Sequence, residues 1–321
     1  MEKRVVLAVV LTVAVIFLTN FLFPPPPAPI DTQPVERDSL VQDSRFGAED
    51  EAGEPPAVSE PSLTVDTSEA VSLPAAAPTI EGDTIVVRTD LYELRFSTLG
   101  ATLIGARLLD YESYSARANG DDRVQLVRPG DRLFGYRVAA GGDTASLGDR
   151  LFTADRREIT LGEQTEADSL QLSYEFPGSA IRFVVTYSFR PETSVVEVSG
   201  RLEGLGDQGW SVLTSLGSGL PTNEKDPDED YNQLAVVTNG PAGGIESIQF
   251  DKIAPGEIRT TEGGPFHWVA VKNKYFLIAY LAPEQGPLFG GLIAEGRQEE
   301  HAAGTLTSLP VPAGSAGFEF E

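Results

Sequence analysis

Residues 5–23 read VVLAVVLTVAVIFLTNFLF, and no charge interrupts them. As a helix this run would be about 28 Å long, close to the roughly 30 Å hydrocarbon thickness of a bilayer. Its Val, Leu, Ile and Phe side chains together favour insertion by roughly 4–8 kcal/mol. The run therefore predicts a membrane anchor, carried by residues such as Val5, Leu11, Phe17 and Phe23. Lys3 and Arg4 stand just before it, and the next basic residue is Arg37. By the positive-inside rule these two charges hold the N-terminus in the cytoplasm and send the polypeptide after Phe23 across the membrane. A cleaved signal peptide would have a shorter apolar core, about 7–15 residues, and a small-x-small exit. Here the exit is Asn20-Phe21-Leu22-Phe23-Pro24. A lipoprotein would need a cysteine, and the chain has none.

After the anchor, residues 24–29 read PPPPAP, which fixes φ, removes backbone donors and favours stiff polyproline II. The next stretch is acidic and nearly free of aromatic residues, with Phe46 the exception. Such a composition buries too little apolar surface to offset its ordering entropy. Residues 24–81 are accordingly read as a disordered linker, and 82–321 as one exported domain. The net charge of −24 argues against nucleic acid, whose phosphates would be repelled. With no cysteine the domain has no disulfides and no thiolate nucleophile, so it must rest on its core. A domain of about 240 residues can bury a sizeable one.

From Asp83 onward the texture is one of short strands punctuated by Gly, Pro, Asn and Asp. Strands are predicted over 84–89, 91–97 and 102–109, with Gly100 at a turn. The clearest alternation is 181–190: Ile181, Phe183, Val185, Tyr187 and Phe189 share one face, Arg182, Thr186, Ser188 and Arg190 the other. A period of two with one polar face indicates antiparallel strands covered on one side. Further strand-like runs are 169–176, 210–216, 233–238, 245–253, 267–281 and 289–294. No stretch after Asp83 shows a helical period with caps. The predicted class is all-β, a large twisted antiparallel sandwich.

Candidate chemistry is sparse. His267 and His301 are the only histidines and stand far apart in sequence, so a structural or surface role is predicted for both. Asp226, Asp228 and Asp230 echo the opening of a calcium loop, but Tyr231 stands where its glycine belongs and Val237 where its glutamate belongs. This run is read as a solvated acidic loop. There is no G-x-S-x-G elbow, P-loop or G-x-G-x-x-G, and the sequence yields no catalytic, cofactor or metal constellation.

Two blocks nevertheless carry a resemblance. "VVRTDLYELRFSTLGATLIGARLLDY" (residues 86–111, including Gly100) and "FHWVAVKNKYFLIAYLAP" (residues 266–283, with Trp268, Ala270, Tyr275, Phe276 and Pro283) come after an anchor and an acidic, Pro-rich tether. In that order they resemble the periplasmic part of the YidC/Oxa/Alb family of membrane protein insertases. The resemblance implies a periplasmic β-supersandwich, related to the fold of sugar mutarotases, in the bacterial inner membrane. It implies a non-enzymatic chaperone and insertase function, with or without the Sec translocon, on nascent inner-membrane proteins. Besides those partners it implies the lipid bilayer, and no cofactor. The family's insertase helices have no counterpart here, and the chain stops inside strand-like sequence at Glu321, so the domain is expected to be truncated there. Trp268, Tyr275 and Phe276 are expected in the core, since large aromatics are usually buried. Two other classes are kept in view. A carbohydrate-active enzyme would place His267 or His301 beside a carboxylate in a cleft. A glycan- or peptide-binding module would show an exposed aromatic patch, with Trp210 or Trp268 the natural candidates.

Overall fold

The computed structural model describes residues 81–321 apart from 116–121, 163, 242, 262–263 and 299–300. The anchor with Val5, Leu11, Phe17 and Phe23, its flanks Lys3 and Arg4, and the linker up to residue 80 lie outside the described residues. Among the described residues no helix is long and apolar enough to cross a membrane.

The first strands are β1 (Thr84–Arg88), β2 (Tyr92–Ser97), β3 (Thr102–Glu112), β4 (Arg123–Gln125) and β5 (Phe134–Ala140). Then come β6 (Asp143–Ser146), β7 (Thr153–Ala154), β8 (Glu158–Thr160), β9 (Asp168–Glu175) and β10 (Arg182–Phe189). Next are β11 (Glu197–Glu203), β12 (Trp210–Gly217), the short helix α1 (Pro227–Tyr231), β13 (Ala235–Asn239) and β14 (Ile245–Gln249). The chain continues through β15 (Ile258–Thr261), β16 (Trp268–Lys272), β17 (Leu277–Leu281), β18 (Gly291–Gly296), β19 (Ala303–Val311) and β20 (Phe318–Phe320). The all-β expectation is met.

Four sheets form, in the orders β4-β3-β2-β1-β8, β20-β11-β10-β9-β7, β15-β18-β19-β12-β5-β6 and β14-β13-β16-β17. Neighbours run antiparallel, as in the β9-β10-β11 meander, except for the parallel pair β1 and β8. Seams stitch the sheets together. Leu103 pairs with Leu133 beside β5, and Phe266 with Phe289 beside β18. Leu281 at the end of β17 exchanges two backbone bonds with Glu321, of 2.7 and 3.0 Å.

One core runs between the sheets, and its aromatic centre comes from distant strands: Phe96, Phe134, Tyr136, Phe183, Tyr187, Phe189, Phe318 and Phe320. On β10 the predicted inward face holds for Phe183, Val185, Tyr187 and Phe189, all buried, while Ile181 just before the strand is only half-buried. The opposite face is less open than the pattern suggested. Val184 is fully buried, and Arg182 is half-buried with its Nη2 donating to Ser173 Oγ at 3.0 Å. Gly100 sits at a turn with φ +75°, where an added Cβ would lie 2.4 Å from the Gly148 carbonyl oxygen. Only a residue without a side chain fits there.

Three expectations need correction. The strand predicted over 245–253 stops at Gln249, and Phe250–Lys252 form a single turn of 3-10 helix. The acidic run is not a solvated loop throughout. Asp226 caps α1, accepting from the amides of Asp228 and Glu229, with Pro227 at the first helical position. Asp230 is buried, because its carboxylate takes bonds from Asn273 Nδ2 at 3.1 Å and the Lys274 amide at 3.2 Å. The predicted strand over 267–281 is two strands, β16 and β17, turning at residues 273–276. Tyr275 in that turn is 60 % exposed and is not core.

Candidate functional surface

The aromatic block of residues 266–283 divides by position. Ala270 is buried in β16, with Val237 of β13 and Ala279 of β17 as register partners. Trp268 is half-buried between Asn239 and Leu281, and Pro283 is half-buried in the turn beyond β17, accepting from the Gly286 amide at 3.2 Å. Phe276 is half-buried and packs on the main core, while Tyr275 faces solvent.

A pair of buried polar side chains aims Tyr275 outward. Asn273 Oδ1 accepts from the amides of Tyr275 and Phe276, at 3.1 and 2.8 Å. Asn273 is itself gripped by Asp230, which also holds the Lys274 amide, so three consecutive amides of the turn are tied to buried acceptors. Lys274 Nζ meets Glu229 at 2.7 Å and lies 5.0 Å from the centre of the Tyr275 ring. The hydrogen bond to Glu229 leads the causes that raise the Lys274 ammonium above its ordinary pKa, so it stays charged.

The end of β3 completes the corner. The Tyr111 ring stands edge-on to Phe276, 5.7 Å between centroids and 89° between planes. Tyr111 is 55 % and Tyr114 66 % exposed. The Tyr114 amide donates to the Asn223 carbonyl at 2.7 Å. Asn223 is buried, and its amide group bridges to Gln125 O and Pro221 O at 2.9 and 3.2 Å, while Gln125 N donates back to its Oδ1 at 3.1 Å. Sequence reasoning alone misses Tyr111 and Tyr114. The signal is there: after Leu109 the inward alternation gives way to DYESY, tyrosines set among polar and acidic residues.

The remaining candidates resolve into structure. Trp210 is buried at 8 % exposure, so neither tryptophan forms an open binding patch. His267 is exposed on the approach to β16. His301 stacks flat on Tyr231, 5.0 Å between centroids and 2° between planes. Among the described residues no group of three or more His, Asp or Glu is placed to hold a metal ion. A groove of about 380 Å³ runs past Gly141, Gly142, Trp210 and Pro312, with Asp143 its one carboxylate. A smaller hollow of about 240 Å³ contains Glu81 and Asp83, the latter ion-paired with Arg157 at 3.1 Å. Neither is lined by a histidine.

The chain resembles known proteins along most of its length. A family model described as the YidC periplasmic domain matches residues 84–317. The membrane protein insertase YidC of Chlorobaculum parvum is 26% identical over 311 residues, covering 95% of this chain and 50% of that protein. The membrane protein insertase YidC of Geotalea daltonii is 25% identical over 339 residues, covering 100% of this chain and 56% of that protein. The chain thus spans about half the length of these relatives. Among solved structures, a galactose mutarotase-like protein from Lactobacillus casei has a TM-score of 0.43 at 9% identity, covering 74% of this chain and 98% of its own. A galactose mutarotase related enzyme from Lactobacillus acidophilus has 0.42 at 10% identity, with 74% and 96% covered.

Proposed function

The chain belongs to the YidC family, through a periplasmic domain that fills residues 84–317, and from that premise we propose that it serves a bacterial membrane protein insertase on the periplasmic side of the inner membrane. Residues 5–23 tether it there with the N-terminus in the cytoplasm. The domain performs no bond chemistry; it is a rigid body that meets clients and partners beside the membrane. Its clients are nascent inner-membrane proteins, and the Sec translocon is a partner for some of them. The observation that carries this reading is the family match across nearly the whole described region, joined to an apolar run of spanning length before it.

Depleting the protein in its own cell should test the reading. A small client with a short exported tail, tracked by protease protection, should then accumulate uninserted, and re-expression of the full-length gene should restore insertion. Unchanged insertion on depletion would sink the reading.

A further inference from the structure

We propose that the aromatic corner of Tyr111, Tyr114, Tyr275 and Phe276 is a docking surface for an extended, cationic and apolar segment of another polypeptide. This goes beyond the family reading, since it names a surface and the chemistry it recognises, and its test needs no insertion assay.

Exposure comes first. Three tyrosines at one corner of the domain are each more than half exposed. Large exposed aromatics supply contact area with few rotatable bonds, which suits them to recognition. The corner is also preorganised. The amides of residues 274–276 are held by buried Asp230 and Asn273, and that of Tyr114 by buried Asn223. A partner therefore meets rings carried on a backbone already held in place and loses less entropy on docking.

Charge selects the partner. The segments that build the corner carry Glu112, Asp122, Asp226, Asp228 and Glu229, all outside the buried core. Among the described residues, the cations on the same segments are Arg123, 3.7 Å from Asp122, Lys225, Lys272, whose Nζ donates to the Asn273 carbonyl at 3.2 Å, and Lys274, bound to Glu229. Acidic groups are thus in excess around the rings, in a chain of net charge −24. Lys274 already shows the chemistry such a corner offers: an ammonium set against a tyrosine face and a carboxylate. Lysines or arginines of an incoming segment can repeat that arrangement on Tyr111 and Tyr114, with apolar residues between them lying on the rings. A second copy of this chain would bring acid against acid in a two-fold contact, and anionic lipid would be repelled.

The test uses residues 1–321 in nanodiscs, with empty nanodiscs as background. The probe is a fluorescein-labelled peptide of repeating Lys-Phe-Ser, compared with its Glu-Phe-Ser counterpart by fluorescence anisotropy. The lysine peptide should bind saturably and weaken as salt is raised, and the glutamate peptide should bind at least tenfold more weakly. The double variant Tyr111→Ser/Tyr275→Ser should weaken lysine-peptide binding at least tenfold with its melting temperature unchanged. Ile258→Ser, at a residue exposed elsewhere on the domain, should leave binding as it was. Equal binding of both peptides, or full binding by the double variant, overturns the proposal. So does tyrosine-dependent binding to phosphatidylethanolamine/phosphatidylglycerol vesicles without peptide, or tyrosine-dependent self-association in sedimentation.

Discussion

The hydroxyls of Tyr136 on β5 and Tyr187 on β10 meet at 3.0 Å in the fully buried centre of the core. The direction of that bond comes from proton counting. Tyr187 donates its one hydroxyl proton to the Ala101 carbonyl at 2.8 Å, so the proton between the two rings belongs to Tyr136. The hydrogen bonds thus run from β5 through β10 to the turn at Ala101, where φ is +51°. Burial raises both phenols well above their ordinary pKa, so neither ionises at physiological pH.

This polarity makes the two positions unequal. Tyr136→Phe removes a donor and leaves Tyr187 still bonded to Ala101, which should cost about 1 kcal/mol. Tyr187→Phe leaves both the Tyr136 hydroxyl and the Ala101 carbonyl without a partner and should cost about 2–3 kcal/mol. Tyr92 gives the contrast: its hydroxyl is buried with no hydrogen-bond partner, and burial pushes its pKa up to about 12. Tyr92→Phe should be neutral or stabilising by up to about 1 kcal/mol. Urea unfolding of the three variants checks the order, and equal losses at Tyr136 and Tyr187 would show the proton assignment to be wrong.

Glu93 on β2 is buried beneath Arg88 and Arg95, with Arg95 Nη2 at 2.8 Å and an Arg88 guanidinium nitrogen on the other oxygen. The hydrogen bond from Arg88 leads the causes that hold its carboxyl below the usual range. A depressed carboxylate contributes stability that is complete above the unfolded value of about 4.3 and lost as pH falls through the folded one. Both arginines are more than half exposed, so water screens the pairs. Glu93→Gln should therefore lower stability by about 1–2 kcal/mol at pH 7, and the gap from the unaltered protein should narrow toward about pH 3. Unfolding curves at the two pH values that show the same gap would rule this out.

These two sites show how far the chain can be read from its sequence. β10 is legible directly, because its inward residues are large, apolar and spaced by two. β19 is not: its buried face includes Thr305 and Thr307, while Leu306 faces the other way, so the hydropathy alternation hides the strand. Those threonines are tolerated inside because their hydroxyls donate to Gly217 O and Gly291 O at 2.9 and 2.7 Å. β5 keeps the alternation, with Phe134, Tyr136 and Val138 buried and Gly135 and Arg137 between them, although Phe134 and Gly135 open it at positive φ. The burial of Asp230 depends on Asn273 and Lys274, more than forty residues away, and no local window contains that information. Tyr275 reads as core because its neighbours in sequence are core formers. Its outward aim is set by a turn in which local bonds to Asn273 are combined with the long-range hold of Asp230.

The bracket beneath Tyr275 is open to a direct check. Asn273→Ala frees the Tyr275 and Phe276 amides and leaves buried Asp230 short of a donor, so it should cost about 1–3 kcal/mol. Hydrogen exchange of the amides at 275 and 276 should rise by an order of magnitude or more, while that of β10 changes only by the global loss. Exchange in the turn no faster than in the parent protein would mean the bracket does not hold it.

On β10 the two faces should respond differently to truncation. Phe183 is fully buried and rings from Tyr136, Phe152 and Phe318 pack around it, so Phe183→Ala should cost about 3–5 kcal/mol through lost burial and a cavity. Arg182 is half-buried and bonds Ser173, so Arg182→Ala should cost about 0.5–1.5 kcal/mol, more than a free surface residue would. Comparable losses at both would overturn the assignment of the inward face.

Topology is the remaining test, and it rests on two charges. Lys3 and Arg4 precede the apolar run of residues 5–23, and the next basic residue is Arg37. A lysine or arginine near the bilayer centre costs about 2.5–3.5 kcal/mol, so a basic flank resists passage where an apolar run does not. The short flank should therefore stay in the cytoplasm, and the β domain should reach the periplasm with the anchor uncleaved. A reporter that is active only when exported, fused after Glu81, should be active. Replacing Lys3 and Arg4 with glutamate, with Lys-Arg-Lys inserted after Pro29, should invert the segment and silence the reporter. Activity unchanged by that swap, or a mature N-terminus mapped near Pro24, would refute the assigned topology.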